Sequence, residues 1–412
     1  MRARLSFFAA AVLLAAGPGA AQEKPGKRFE LRPQDMPAPF ATESVGNSPD
    51  IVRRCDAVPM APPGYRVTLF ADRLDHARWL AATPSGEVFV AEPNLGKVTV
   101  LVDRDGDGRA DRRSPFARGH DTPHGLALYG DHLYVADLNA VWRYDWKPGQ
   151  MRANRRPVRL TGRGELGDAS GHWTRNIAVA PDGKHFFVAI GSEGNIEEEP
   201  EPRATIKRFD MDGSGGAVYA RGLRNPVGIA FHPDTGVLYT AVNERDGLGD
   251  GLVPDYLTSV REGGFYGWPY AYIGPNPQPD FARLKPDLVK KTIVPEVLFE
   301  SHSAAMAVQF AKGGRFPADW QDDAFVAFRG SWNAAVPTGY KVVRVPFEGG
   351  KPLGWYENFV TGFRLDEPGR ETQARVWGRP VGLALAADGS LLIAVDEDQS
   401  IWRVSRDRAA RN

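Results

Sequence analysis

The sequence predicts an all-β chain folded as a single six-bladed β-propeller, closed where an N-terminal strand joins the last blade. Three observations carry this reading. One pattern recurs six times: a small or apolar run, a turn, then a second alternating run that ends near an acidic or polar residue. Gly and Pro, 45 and 33 of 412 residues, punctuate the chain as densely as many short strands require. The two ends of the array are also complementary: GYRVTLFADRL from Gly64 has no hairpin before it, whereas the last repeat stops after three strands near Val404. Two β-sandwich domains would explain neither the even recurrence nor the unpaired first strand.

Residues 1–21 read as a secretory signal, with Arg2 and Arg4, an apolar run over 5–16, and Gly19 and Ala21 before a cut at Gln22. The run is shorter than the ~20 residues of a membrane span, and no other segment is long and apolar enough, so the expectation is a periplasmic or secreted protein without a membrane span. Residues 22–63 are polar and Pro-rich without periodicity, an extended arm. The propeller is expected over 64–405, with 406–412 as a tail. Its hairpins are WLAATPSGEVFVAE from Trp79, HGLALYGDHLYVAD from His124, RNIAVAPDGKHFFVAI from Arg175, VGIAFHPDTGVLYTAV from Val227, MAVQFAKGG with DAFVAFRG from Met306, and VGLALAADGSLLIAVD from Val381. Pro-Asp-Gly, Pro-Ser-Gly and Ala-Asp-Gly supply turns, and alternation turns one face inward. The spacing is about 56 residues per repeat, near the ~40–50 of a four-stranded blade plus loops.

The 51 basic and 51 acidic side chains leave no basic footprint, which argues against nucleic acid as a partner. The lone Cys55 excludes an intrachain disulfide and is either buried or open to an intermolecular link. No C-x-x-C-H haem-attachment motif occurs in the sequence.

Residues at the start of each innermost strand crowd the axial opening of a propeller, so chemistry is expected there. His124, His172, Arg175, Arg224, Asn225 and Arg379 hold such positions, and His302 and Arg329 come from the remaining long repeat. Convergent His and Arg suit a general base and an anionic ligand. Separately, DRDGDGRAD places Asp103, Asp105, Asp107 and Asp111 at alternate positions with Gly108 sixth, like the first half of a calcium loop, but Ser114 stands where a bidentate Glu is expected. A charged hairpin tip explains it equally. EEEPEPR from Glu197 reads as a solvated loop, and FYGWPYAYI from Phe265 as either a stacking wall or core packing.

GHWTRNIAVAPDGKHFFVAIGSEGN, RGLRNPVGIAFHPDTGVLYTAVNERDGLGD and EGGFYGWPYAYIG together resemble the pyrroloquinoline quinone (PQQ) dependent sugar dehydrogenases, closer to the sorbosone dehydrogenase branch than to the soluble glucose dehydrogenases. The resemblance runs from about Gly64 to Val404. It implies PQQ over the axial opening beside calcium, His172 as base, Arg224 and Asn225 on the quinone oxygens, and Arg329 and Arg379 on the cofactor carboxylates. His124 and Arg175 are expected to join them around the cofactor. Calcium is expected through the Glu244 and Arg245 carbonyls or the Asp246 side chain. The substrate would be a sugar or sorbosone-like aldehyde, with electrons leaving to an external cytochrome or quinone. Three departures stand out. Gly171 replaces the Asp that precedes the base in glucose enzymes, Val227 replaces a Gln, and residues 243–246 replace a Gly-Pro carbonyl pair. Rival readings are a calcium-dependent lactonase on the same fold and a non-catalytic binding platform.

Overall fold

Residues 23–365 and 372–407 are described by a computed structural model of the chain; the expected signal at 1–21 and the tail from 408 onward lie outside the described residues. The repeats become six antiparallel sheets in chain order. The first blade comprises Leu80–Ala82, Glu87–Glu92, Lys97–Val102 and Arg112–Arg118, and the second Gly125–Tyr129, His132–Ala136, Val141–Asp145 and Val158–Arg159. The third is built on Arg175–Val179, His185–Ile190, Thr205–Asp210 and Ala217–Arg221, and the fourth on Asn225–Phe231, Leu238–Asn243, Pro254–Ser259 and Val297–Ser301. Ala305–Phe310, Ala324–Phe328, Lys341–Val345 and Tyr356–Val360 make the fifth. The sixth orders Tyr65–Ala71 beside Ser400–Arg406, then Leu391–Asp396 and Arg379–Leu385. The orphan first strand therefore closes the ring, with Val67 opposite Val404 and Leu69 opposite Trp402.

Alternation is weaker in the inner strands than the sequence pattern suggests, for a physical reason. Glu87–Glu92 and Leu391–Asp396 are buried at every position, because each blade packs face to face against both neighbours. Apolar side chains of successive blades merge there; Trp79, Phe89, Leu126, Val227, Met306, Val381 and Trp402 belong to one cluster.

Residues 23–63 hold only short elements and are pinned to the propeller. Arg28–Phe29 pairs with Tyr356–Val360, Asp50–Ile51 runs parallel to Arg375–Val376, and Met60 bridges Thr361. Further along, Phe40 N donates to Leu248 O (2.7 Å) and Asn47 N to Trp332 O (2.8 Å), which brings the arm to the loops at one end of the ring. Cys55 is exposed and unpaired. Among the described residues no helix is long and apolar enough to cross a membrane.

Candidate active site

A cavity of about 310 Å³ is lined by residues that open several blades, including His172, Arg224, Asn225, Arg329 and Arg379. Its one wall carries a base, its other wall carries positive charge.

The base wall starts with His172, on the loop before Arg175–Val179. Its Nδ1 lies 2.7 Å from the Ser192 carbonyl oxygen, which can only accept. Nδ1 therefore carries the proton, and Nε2 keeps its lone pair. Burial, followed by the Arg224 charge, depresses the imidazole pKa to about 4, so it is neutral at ordinary pH. Gly171 explains the missing Asp: its φ is +62°, and a Cβ there would stand 2.1 Å from the Glu193 carbonyl oxygen. Orientation comes from the Ser192 backbone in place of a carboxylate. Gly191 is needed in the same way, since a Cβ would meet Asn225 Oδ1 and His172 Cβ at 2.5 and 2.6 Å.

Arg224 stands beside the base. It donates from Nη1 to Glu244 O (2.7 Å) and from Nη2 to Asn195 Oδ1 (3.0 Å). Asn225 leaves Oδ1 buried without a hydrogen-bond partner, an acceptor held toward this space. Asp246 accepts from Asn333 Nδ2 (2.7 Å) and faces His302 Nδ1 (3.2 Å). Burial raises the Asp246 pKa, but the His302 hydrogen bond and the Arg224 charge outweigh it and the net shift is downward. His302 moves the other way: burial opposes its charge, yet Asp246 holds it protonated to higher pH, with Nε2 3.1 Å from Asp250 O. Asp255, buried beneath this pair, is pushed up to about 7 by desolvation.

The positive wall comes from blades five, six and one. Arg379 donates from Nε to Arg329 O (2.9 Å) and from Nη2 to Gly330 O (2.6 Å). Arg329 Nε and Arg78 Nη1 converge on Asp396 Oδ2 at 2.9 and 2.7 Å. Arg78 also lies over Trp173, 5.2 Å from the ring centroid, and its Nε is buried without a partner. Three guanidiniums thus face one cavity against Asp396 and, on the outer side, Glu397. Burial, opposed by Asp396, brings Arg78 down to about 10, and burial with the neighbouring Arg329 charge does the same for Arg379; both remain cations.

Two expected cofactor residues do not reach this space. His124 is wholly buried between Trp79 (4.9 Å) and Trp173 (5.4 Å), with neither ring nitrogen hydrogen-bonded. Burial, then the nearby Arg78 charge, holds its pKa well below the usual histidine value. Arg175 is also fully buried, and its guanidinium is consumed by carbonyls: Leu166 O, His172 O and Asp168 O, each at 2.8 Å. It anchors the loop that carries His172 instead of touching a ligand. Arg245 is a core residue too, ion-paired with Glu244 (2.8 Å) and donating to Ala271 O (2.7 Å), while its own carbonyl accepts from Val253 N (3.4 Å).

For calcium near the cavity, hard oxygens are present in the Asp246 carboxylate, the Glu244 carbonyl and the unpartnered Glu244 Oε1. They are compatible with the ion. On the first-blade loop, Asp103, Asp105 and Asp111 place ligand atoms within 4.8 Å of one another, and Asp107 stands outside the group. Oxygens of all three are already engaged by the turn itself: Asp103 accepts from Gly106 N and Gly108 N (both 2.8 Å), Asp105 from Asp107 N (3.2 Å) and Asp111 from Arg104 N (3.1 Å). The loop is mostly exposed, and none of its residues lines the cavity. The aromatic run from Phe265 is core: Tyr266 and Trp268 are buried, and Trp268 Nε1 donates to Asn195 O (2.8 Å).

Arg78, Asp396, Trp173 and Trp332 were missed as site residues. The first had a signal, since HARWLAA puts Arg78 immediately before the first repeat, the position that Arg224 and Arg379 hold before theirs. Asp396 ends a second strand, LLIAVD, where the repeat pattern itself calls for an acidic residue.

A six-bladed propeller that sets a neutral imidazole and several arginines on one cavity has the chemistry to receive an anionic ligand there. The sequence profile described as TrAA12-like matches residues 59–253 and 288–407, and the chain belongs to that family. Among curated proteins it is similar to an uncharacterized protein of Borreliella burgdorferi, 24% identical over 364 residues, covering 83% of this chain and 89% of the other. It is also 24% identical over 404 residues to the pyrroloquinoline quinone-dependent pyranose dehydrogenase of Coprinopsis cinerea. That match covers 83% of this chain but only 54% of the Coprinopsis protein. Its fold resembles the Trichoderma reesei carbohydrate-active enzyme of family AA12 (TM-score 0.71, 19% identity, 88% of this chain and 100% of the other). The PQQ domain of the Coprinopsis enzyme in its holo form is equally similar (TM-score 0.71, 21% identity, 87% and 99%).

Proposed function

We propose that the protein is an exported PQQ-dependent dehydrogenase of sugars that passes its electrons to a separate acceptor. The observation that carries this reading is His172, a neutral imidazole whose Nε2 is left unprotonated by the Nδ1–H bond to Ser192 O, set in the same cavity as Arg224 and the guanidiniums of Arg78, Arg329 and Arg379. Support also comes from family membership and from relatives whose names specify PQQ and pyranose.

The donor set fits the cofactor. Arg329, Arg379 and Arg78 would hold its carboxylates, a task suited to planar guanidinium forks, and Arg78 Nε still lacks a partner to donate to. Arg224 and Asn225 would meet the quinone oxygens. Asp246 and the Glu244 carbonyl would hold calcium. When bound, PQQ supplies an electrophilic two-electron acceptor for hydride, a capacity that side chains lack.

The residues of the chain do the rest. His172 Nε2 takes the proton of the sugar hydroxyl as its C–H hydrogen leaves with the electron pair, and the sugar is left as the lactone. The Ser192 carbonyl stabilises the imidazolium that forms, because Nδ1–H already points at it. Arg224 places fixed positive charge where negative charge develops during transfer. Its own backbone and side-chain bonds hold it in place before the reaction, so little reorganisation is needed.

The test is to add PQQ and calcium to apo-protein and follow dye reduction with aldoses, sorbosone and simple alcohols. Binding with turnover of sugars is expected. Failure of PQQ to bind overturns the reading, and binding without sugar turnover overturns the substrate class.

A further inference from the structure

At the mouth of the cavity stands an aromatic residue that the proposed chemistry does not use. Trp332 lines the cavity and is 53% exposed, one of the exposed large apolar side chains of the protein. A bare indole beside so polar a site calls for an explanation, because exposed aromatics with a polar surround mark contact surfaces. No other aromatic ring of the described residues stacks on it.

The backbone beneath the indole is fixed from both sides. Asn47 of the arm donates from its backbone N–H to Trp332 O (2.8 Å), and its side-chain amide donates to Ala334 O (2.9 Å) and Thr372 O (2.8 Å). On the cavity side, Asn333 Nδ2 donates to Asp246 Oδ1 (2.7 Å), and Ala335 N to Asp250 Oδ1 (2.7 Å). The arm grips the second of these loops as well: Asp250 N donates to Thr42 Oγ1 (2.9 Å) and Gly249 N to Ser44 Oγ (3.2 Å). Arm residues 40–47 therefore strap together the loop that carries Asp246 and the loop that presents Trp332.

A solvent-facing ring on a backbone held in this way is what a ligand with one apolar face requires, since part of the ordering cost is met before binding. A pyranose has such a face in its axial C–H groups, and its hydroxyl edge would turn to the Arg and Asn groups deeper in the cavity. An acyclic aldehyde or a simple alcohol offers no comparable face. We propose that Trp332 is the platform on which the sugar ring lies, and that the arm, through Asn47, is its mount; this rests on the sugar dehydrogenase reading above.

The experiment compares wild-type, Trp332→Ala, Trp332→Phe and Asn47→Ala proteins reconstituted with PQQ and calcium. For each, the PQQ dissociation constant is measured by titration of apo-protein, and kcat and KM with a cyclic aldose and with an acyclic aldehyde. Loss of one ring contact corresponds to about a tenfold rise in KM for the cyclic aldose in Trp332→Ala. The PQQ dissociation constant and kcat should stay within about twofold, and the acyclic aldehyde should be affected several times less. Trp332→Phe should recover most of the loss, and Asn47→Ala should shift KM in the same direction by a smaller factor. An unchanged KM, an equal change for both substrates, or a weakened PQQ affinity overturns the platform role while leaving the dehydrogenase standing. Failure of wild-type apo-protein to take up PQQ overturns both.

Discussion

Protonation of His172 should set the acid limit of turnover far below the ordinary histidine range. Its imidazole is depressed to about 4 by burial and by Arg224. A histidine at its usual pKa would be only about one-tenth deprotonated at about pH 5.5, whereas one at about 4 would be nearly fully deprotonated there. The assay is kcat/KM for an aldose across about pH 3.5 to 8, since this ratio reports groups of the free enzyme. A half-maximal point near pH 4 is expected. Asp255, raised to about 7 by burial, is the group most able to add a second limb. Measuring Asp255→Asn in parallel removes that limb and leaves the lower one. A limb between about pH 6 and 7 that survives both in Asp255→Asn and in His302→Gln would refute the reasoning, because it would mean that His172 is solvated and not held under Arg224. The same shift bears on stability: between about pH 4 and 6.5 the unfolded chain binds a proton at this position that the folded chain refuses, so stability rises with pH across that window.

Four further outcomes follow from the same geometry. Gly171→Ala places a Cβ against the Glu193 carbonyl at a φ of +62°, so kcat should fall at least tenfold while PQQ affinity changes little; unchanged kcat would show that the loop can move without moving the base. Arg379→Ala should weaken PQQ binding about tenfold or more in a fluorescence titration, and an unaltered affinity would remove Arg379 from the anion wall. Asp396→Asn strips the shared carboxylate from Arg78 and Arg329 and should lower unfolding free energy by about 3 kcal/mol, read from the urea midpoint; a change below about 1 kcal/mol would mean that the two arginines find water instead. His124→Phe, in contrast, should bind PQQ and turn over within about twofold of wild type, and a large loss would return His124 to the site.

The blades were legible because their pattern is local. Apolar alternation broken by Pro-Asp-Gly turns depends on neighbours within a hairpin, and the complementary ends predicted the closing pair Tyr65–Ala71 with Ser400–Arg406. His172, Arg224 and Arg379 were legible for the related reason that blade starts face the axis. The same rule failed for His124, because what decides its exposure is whether residues from elsewhere cover it, and Trp79 and Trp173 do. It failed for Arg175 because the carbonyls of residues 166–172 fold back over the guanidinium. Nothing local predicted that Ser192 would orient the base or that Asn47 would bind the Trp332 loop. Both contacts join segments that the sequence places in different repeats or outside them.

Closure of the ring also has a consequence for where occupancy of the cavity can be detected. Arg379 and Asp396 sit on strands of the sixth blade, whose outer members are Ser400–Arg406 and the strand Tyr65–Ala71. Among the blades, this is the one whose sheet joins opposite ends of the array, so it is the place where the ring can part without breaking a hairpin. Parting it separates Arg78, which precedes the first strand of blade one, from its partner Asp396 on blade six. An anion held between Arg78 and Arg379 would therefore latch a seam that it does not touch. Amide exchange along residues 65–71 should slow as the cavity fills, which makes the closing strand a remote gauge of what the axis holds.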